Sequence, residues 1–294
     1  MCCTADGRPL APQDLHPQCL PIAVPADDSF YSSFNVTCMD FVRTVVAPSG
    51  EDCAGLGTEQ LNALTHWLDG SAVYGSDLAA SRQLRLMADG LMRTTDEDGH
   101  HLLPMTAQCG PDQTCFQAGD SRAEENPQLC LLHTLMVRQH NRLAAALEPL
   151  QPTWDDETLF QEARRIVVAQ LQHITYNEYL PAMLGQEYVT SKGLLPLTTG
   201  FYQGYDARVV PSVANDFATG AFRVGHSQVQ PILGLYNEND VSDTSFNLEN
   251  QFFNATQLRT AGFVDAALRG LTYQKPAAVD IGYAVSLTNY LFKY

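Results

Sequence analysis

The chain has 294 residues, 45% of them apolar, enough for one large globular unit or two domains. Its 17 basic residues against 33 acidic ones leave a formal charge of −16, which excludes nucleic acid and anionic membranes as partners that need a basic face. No apolar run reaches the length of a membrane span.

Eight cysteines, at 2, 3, 19, 38, 53, 109, 115 and 130, point to an oxidising compartment. Four fall within the first forty residues, in Pro- and Asp-rich sequence, so residues 1–58 read as a disulfide-pinned loop region. Sequons at Asn35 and Asn254 agree with a secreted protein. The opening "MCCTADGRPL" lacks an export signal, which suggests an upstream portion outside this sequence.

From residue 59 the pattern turns helical, and the class is mainly α. "TEQLNALTHWLDGS" predicts a helix with Thr58 as N-cap and Gly70 as its end, and "SDLAASRQLRLM" predicts another. Residues 92–122 read as loop. Two long amphipathic helices follow: 127–148, with Leu132, Leu135, Met136 and Leu143 on its core side, and 155–184, with Ile166, Val167, Leu171 and Ile174. Residues 185–210 are irregular. Shorter helices are expected over 212–226, 242–253, 260–271 and 279–293, and strand signals are sparse.

Four stretches carry chemistry. In "ANDFATGAFRVGHS", His226 stands among Ala218, Gly220, Ala221 and Gly225, which let a flat group approach the backbone; the imidazole is hydrogen-bonded, catalytic or metal-bound. In "LTHWLDGSAVYGS", Thr65, Trp67, Asp69 and Ser71 alternate, as oxygen donors do in a hard-cation loop and polar residues also do at a capped helix end. In "AGDSRAEENPQL", Arg122 and Glu125 are either an exposed pair at a helix mouth or a cation placed to stabilise developing negative charge. His133 and His140 lie seven apart on one helix, which suits structural hydrogen bonds better than a metal pair or a zinc hydrolase.

Taken together, "CLPIAVPADD", "CMDFVR", "LNALTHWLDGSAVYGS", "CFQAGDSR", "LHTLMVRQHNRLA", "EARRIVVAQLQHITYNEYLPAMLG", "FATGAFRVGHSQVQP" and "LRGL", in this order along nearly the whole chain, resemble the animal haem peroxidases. The resemblance implies a helical haem-binding core over 59–294. His226 becomes the proximal iron ligand, Arg122 the distal-side cation, Glu125 the carboxylate ester-linked to haem b, and Arg223 a further haem contact. It implies a calcium loop of Thr65, the Trp67 carbonyl, Asp69 and Ser71. It also implies disulfides Cys109–Cys115, Cys2–Cys19 and Cys3–Cys38, with Cys130 a buried thiol and Cys53 open to a link between chains. The activity implied is reduction of hydrogen peroxide through a ferryl intermediate, with oxidation of small donors or halides, and a part in the response to oxidative stress.

Asn126 stands where some members carry a methionine joined to haem through sulfur, so that link is not implied. The family's Gln and Asp-His-Asp cluster, its orienting Asn and its "RGRDHG"-like block have no counterpart here, so the sequence reads as a central portion of such a domain. The alternative reading is a non-catalytic extracellular adhesion or structural module derived from the same fold.

Overall fold

A computed structural model describes residues 1–47, 59–97, 99–106 and 114–291. Thr58 and Cys53, and Cys109 of the implied Cys109–Cys115 pair, lie outside these residues; Cys115 itself is disulfide-bonded. Residues 1–47 hold little regular structure: β1 (Ile22–Ala23) pairs antiparallel with β2 (Cys38–Met39). Cys2 bonds Cys19 and Cys3 bonds Cys38, two of the three pairings the resemblance implies. Asp40 Oδ1 accepts from both Cys2 N–H and Cys3 N–H, so the linked strands share one anchor. This region docks on the far end of the chain. Tyr31 Oη donates to the Asn289 carbonyl at 3.1 Å, and the Phe30 and Tyr290 rings meet edge to face at 5.0 Å.

The helical part begins later than its apolar pattern predicts. Residues 59–70 form no helix; α1 covers only Ser71–Tyr74. The reason is local competition. Asp69 and Thr65 side chains bond each other, Asp69 also takes the Ser71 N–H, and Gly70 turns the chain at φ +67°. Next come α2 (Leu78–Leu84), capped by Asp77 on the Ala80 N–H, and the hairpin β3 (Thr95–Glu97) with β4 (His100–Leu102), inside a stretch read as loop.

The long helices are where the sequence places them. In α3 (Pro127–Leu147) Asn126 caps the Leu129 N–H and Pro127 occupies N1. Asp155 caps α4 (Asp156–Ile174), which begins with two acids and runs on through a wider turn at Thr175–Tyr179 into α5 (Leu180–Leu184). The face of α3 differs from the expected one. Cys130, Leu131, Thr134, Val137, His140 and Ala144 are buried, while Leu132 and Leu135 are exposed. Thr134 Oγ1 donates to the Cys130 carbonyl and His140 is satisfied on both nitrogens, so polar side chains enter the core that a hydropathy stripe would reject. On α4 the buried set is Leu159, Phe160, Ala163 and Val167, and Ile174 is exposed.

After α6 (Gln186–Ser191) the helix expected over 212–226 breaks at Gly220 into α7 (Asn215–Thr219) and a 3-10 run over Ala221–Gln228. The helix expected over 242–253 is instead mostly strand: β6 (Ser242–Asn247) pairs antiparallel with β5 (Ile232–Tyr236), followed by one 3-10 turn, Leu248–Asn250. "SDTSFN" has too few apolar positions for a helical face, and Thr244 and Phe246 face the β5 partners Leu235 and Leu233. The sheet packs on α8 (Phe263–Tyr273), which matches its expected helix; of 279–293, the described helical part is one wide turn, Ser286–Tyr290. Helix outweighs strand among the described residues, in line with the mainly α class the sequence predicts.

A polar knot lies in the core. His140, wholly buried, donates from Nε2 to the Gly90 carbonyl at 2.9 Å and accepts from Tyr74 Oη at Nδ1, also at 2.9 Å. Gly90 has φ +68°, and a Cβ there would lie 2.6 Å from Leu159 Cβ. Asp156 takes the Gly90 N–H and the guanidinium of buried Arg85, which lies 4.0 Å over the Phe160 ring.

Burial, helped by the Arg85 and Arg164 charges, pushes the His140 pKa down to about 4, against the pull of the Gly90 bond. The unfolded chain therefore takes up this proton first. Stability is full above pH 6.5 and falls as pH drops from 6.5 toward 4. Between pH 7 and 5 His140 should cost about 2 kcal/mol of unfolding free energy. Denaturant titrations at these two pH values should show that loss in the native chain and a clearly smaller one in His140→Gln; equal losses would contradict the assignment.

Candidate functional site

Three of the four residues expected in a cation loop converge. Thr65 Oγ1 lies 3.0 Å from Asp69 Oδ1 and 2.9 Å from Ser71 Oγ, and Asp69 Oδ1 also takes the Ser71 N–H at 2.9 Å. The three side chains are half-buried, while the Trp67 ring is exposed. One carboxylate and two hydroxyls are thus held as a cluster of hard oxygens, the donor chemistry a calcium ion takes. Among the described residues no group of three or more His, Cys, Asp or Glu side chains forms a metal cluster.

The loop is fastened to the next element through α1. A Cβ on Gly119 would sit 2.1 Å from the Ser71 carbonyl oxygen and 2.2 Å from the Gly75 nitrogen, so only glycine permits this contact. The Asp120 N–H donates to the Ala72 carbonyl at 3.0 Å. Two residues on, Arg122 reaches back to Asp120: Nε to Oδ1 at 3.0 Å and Nη2 to Oδ2 at 2.7 Å. This pair raises the arginine and holds the Asp120 carboxyl below the usual carboxylate range, the Arg122 hydrogen bonds being the main cause. Glu125 is half-buried and within electrostatic reach of Arg122. Its neighbour Glu124 points the other way, accepting from Thr114 Oγ1 and, at 3.0 Å, from the Phe116 N–H; burial lifts its pKa.

Asn126 accepts from the Leu129 N–H as the α3 cap. His133 Nδ1 donates to the Leu129 carbonyl at 2.7 Å, a structural bond as the seven-residue spacing suggested, but its Nε2 is buried and has no hydrogen-bond partner among the described residues. Asp120, Gly119 and this nitrogen are the groups the sequence reading passed over. "AGD" before the arginine was the available signal for the first two. Cys130 is a free, buried thiol whose pKa burial raises.

His226 stands on the 3-10 run after Gly220. Its Nδ1 is 2.8 Å from the Arg223 carbonyl and can only donate there, which leaves Nε2 unprotonated in the neutral ring. The side chain is exposed, and so are Phe222, Val224 and Arg223, whose Nε donates to the Ala218 carbonyl at 3.1 Å. The cleft of small residues expected around this imidazole is therefore not enclosed by the described residues. In a 3-10 run side chains three apart stack in line, and of Ala221–Gln228 only Ser227 is buried. Gly225 borders open space, and together with Gln128, Gln228 and Leu233 it lines a cavity of about 300 Å³ against the start of α3. The 3-10 run thus lies beside the helix that follows Arg122 and Glu125.

The chain is 40% identical over 299 residues to the chorion peroxidase of Drosophila melanogaster, covering 99% of this chain and 37% of that protein. Among solved structures, peroxidase A from Dictyostelium discoideum superimposes with a TM-score of 0.77 at 32% identity, over 94% of this chain and 55% of the other. An Oryza sativa fatty acid alpha-dioxygenase shares the fold alone, with a TM-score of 0.71 at 19% identity over 90% of this chain and 46% of the other. The chain spans about two fifths of the curated relatives it matches. The family model described as animal haem peroxidase matches residues 1–294. The chain belongs to the animal haem peroxidase family.

Proposed function

We propose that this chain contributes the proximal and part of the distal side of a haem peroxidase site in a secreted protein. The observation that carries this is the His226 tautomer: Nδ1–H is spent on the Arg223 carbonyl, so the Nε2 lone pair is free for iron, with a Cβ-less neighbour at Gly225. When bound, haem supplies the electron chemistry with peroxide and with small donors or halides. The protein's own part would be to bind the iron through His226 Nε2, to place the Arg122 cation where peroxide oxygens gain negative charge, and to supply the Glu125 carboxylate for an ester to a macrocycle methyl group, the two electrons lost passing to peroxide, which leaves as water. Arg223 lies on the same 3-10 run as a further contact. Secretion is supported by the two N-terminal disulfides and by the exposure of Asn35 and Asn254 as glycan acceptors; no described helix is long and apolar enough to cross a membrane. Cys53 remains a candidate for a link between chains.

The Thr65, Asp69 and Ser71 oxygens, completed by the Trp67 carbonyl, form the calcium loop in this reading. A second reading, a non-catalytic extracellular module, is favoured by the exposure of His226. Hemin separates the two. Titrated into the chain, it should give a Soret band characteristic of histidine ligation that His226→Ala lacks; indistinguishable spectra would remove the ligand assignment. For the loop, terbium should show emission sensitised through Trp67, displaced by calcium and several-fold weaker in Asp69→Asn. Emission unaffected by that substitution would remove the cation site.

A further inference from the structure

The Arg122–Asp120 pair is short-range and its two members are unequal. The arginine side chain is 61% exposed and the aspartate 13%. Asp120 accepts the Arg122 backbone N–H at 2.8 Å as well as two guanidinium bonds, so one carboxylate fixes both ends of that side chain. The carboxylate in turn has little freedom. Its own N–H is tied to Ala72, and the residue before it is pressed backbone to backbone against Ser71 and Gly75. On the α3 side, the His133 imidazole lies within electrostatic range of Asp120.

An exposed ion pair contributes little to stability. Its effect here is geometric. A planar guanidinium held by parallel bonds to a shielded carboxylate keeps one orientation, whereas a free arginine samples many rotamers. We propose that Asp120 is a positioning residue that sets the plane of the Arg122 guanidinium, and that the Gly119 contact with α1 holds Asp120 in place to do so. The functional value of that orientation rests on the reading of Arg122 as an anion-stabilising cation; the clamp itself does not.

Two measurements on the full chain test this. In the haem-free chain, the Nε–H resonance of Arg122, assigned by its loss in Arg122→Gln, should be sharp and slowly exchanging. It should broaden or vanish in Asp120→Asn and in Gly119→Ala, the latter removing no charge. Asp120→Glu, which keeps the charge one methylene further out, should retain partial protection and covers the case in which Asp120→Asn fails to fold. In the hemin-loaded chain, cyanide affinity should fall roughly tenfold in Asp120→Asn, toward the level of Arg122→Gln, with the Soret position unchanged. An Nε–H equally protected with and without Asp120 would overturn the proposal, as would cyanide affinity lowered by Arg122→Gln but untouched by Asp120→Asn. If wild type takes up no hemin, the peroxidase reading fails, and the Nε–H measurement still decides the clamp.

Discussion

The backbone contact between Gly119 and the single turn Ser71–Tyr74 is the constraint on which the rest depends. It joins two segments nearly fifty residues apart with no side chain between them, so it tolerates nothing larger than hydrogen at Gly119. The hard-oxygen cluster of Thr65, Asp69 and Ser71 enters this turn from one side. The loop that carries Asp120 and Arg122 leaves it on the other. The Thr65, Asp69 and Ser71 oxygens and the Arg122 side chain are therefore joined through the packing of Gly119 on this turn and the Asp120 N–H bond to the Ala72 carbonyl.

The same turn is anchored from below. Tyr74 is wholly buried and reaches His140 on α3, which bonds Gly90, whose N–H is held by Asp156 at the start of α4. Every polar atom on this path from Tyr74 to Asp156 has a partner, which is why an imidazole and a phenol can sit in the core without the penalty of unpaired burial. Leu102, Leu103, Phe160 and Val167 exclude water around it. The site's geometry thus rests on the α3–α4 packing and not on its own exposed loops.

What the sequence disclosed depended on the range of the interactions involved. Helices α3 and α4 were legible with their ends because Asn126, Pro127 and Asp155 are local cap signals next to long amphipathic runs. The pairing of Cys2, Cys3, Cys19 and Cys38 came from family resemblance, since four cysteines alone allow three pairings. The buried face of α3 was misjudged because Thr134 and His140 are core residues only once distant partners satisfy them. The segment 59–70 lost its helix to side-chain oxygens that compete for the backbone, and 242–247 became a strand through pairing with β5. The candidate residues Thr65, Asp69, Ser71, Arg122 and Glu125 could be named from motif order, but Asp120 and Gly119 acquire meaning only from the fold. His226 is singled out by its small neighbours and given a ligand role only by the family resemblance, and its exposure on a 3-10 run was not foreseeable from either.

The central question is whether α1 and the Gly119–Arg122 loop behave as one element in solution. Amide hydrogen exchange of Asp120 reads this directly, because its N–H is the donor that crosses to Ala72. Its exchange should be as slow as that of the buried amides of α3, and accelerated by orders of magnitude in Gly119→Ala. Exchange at the rate of an open loop in the native chain would contradict a single element.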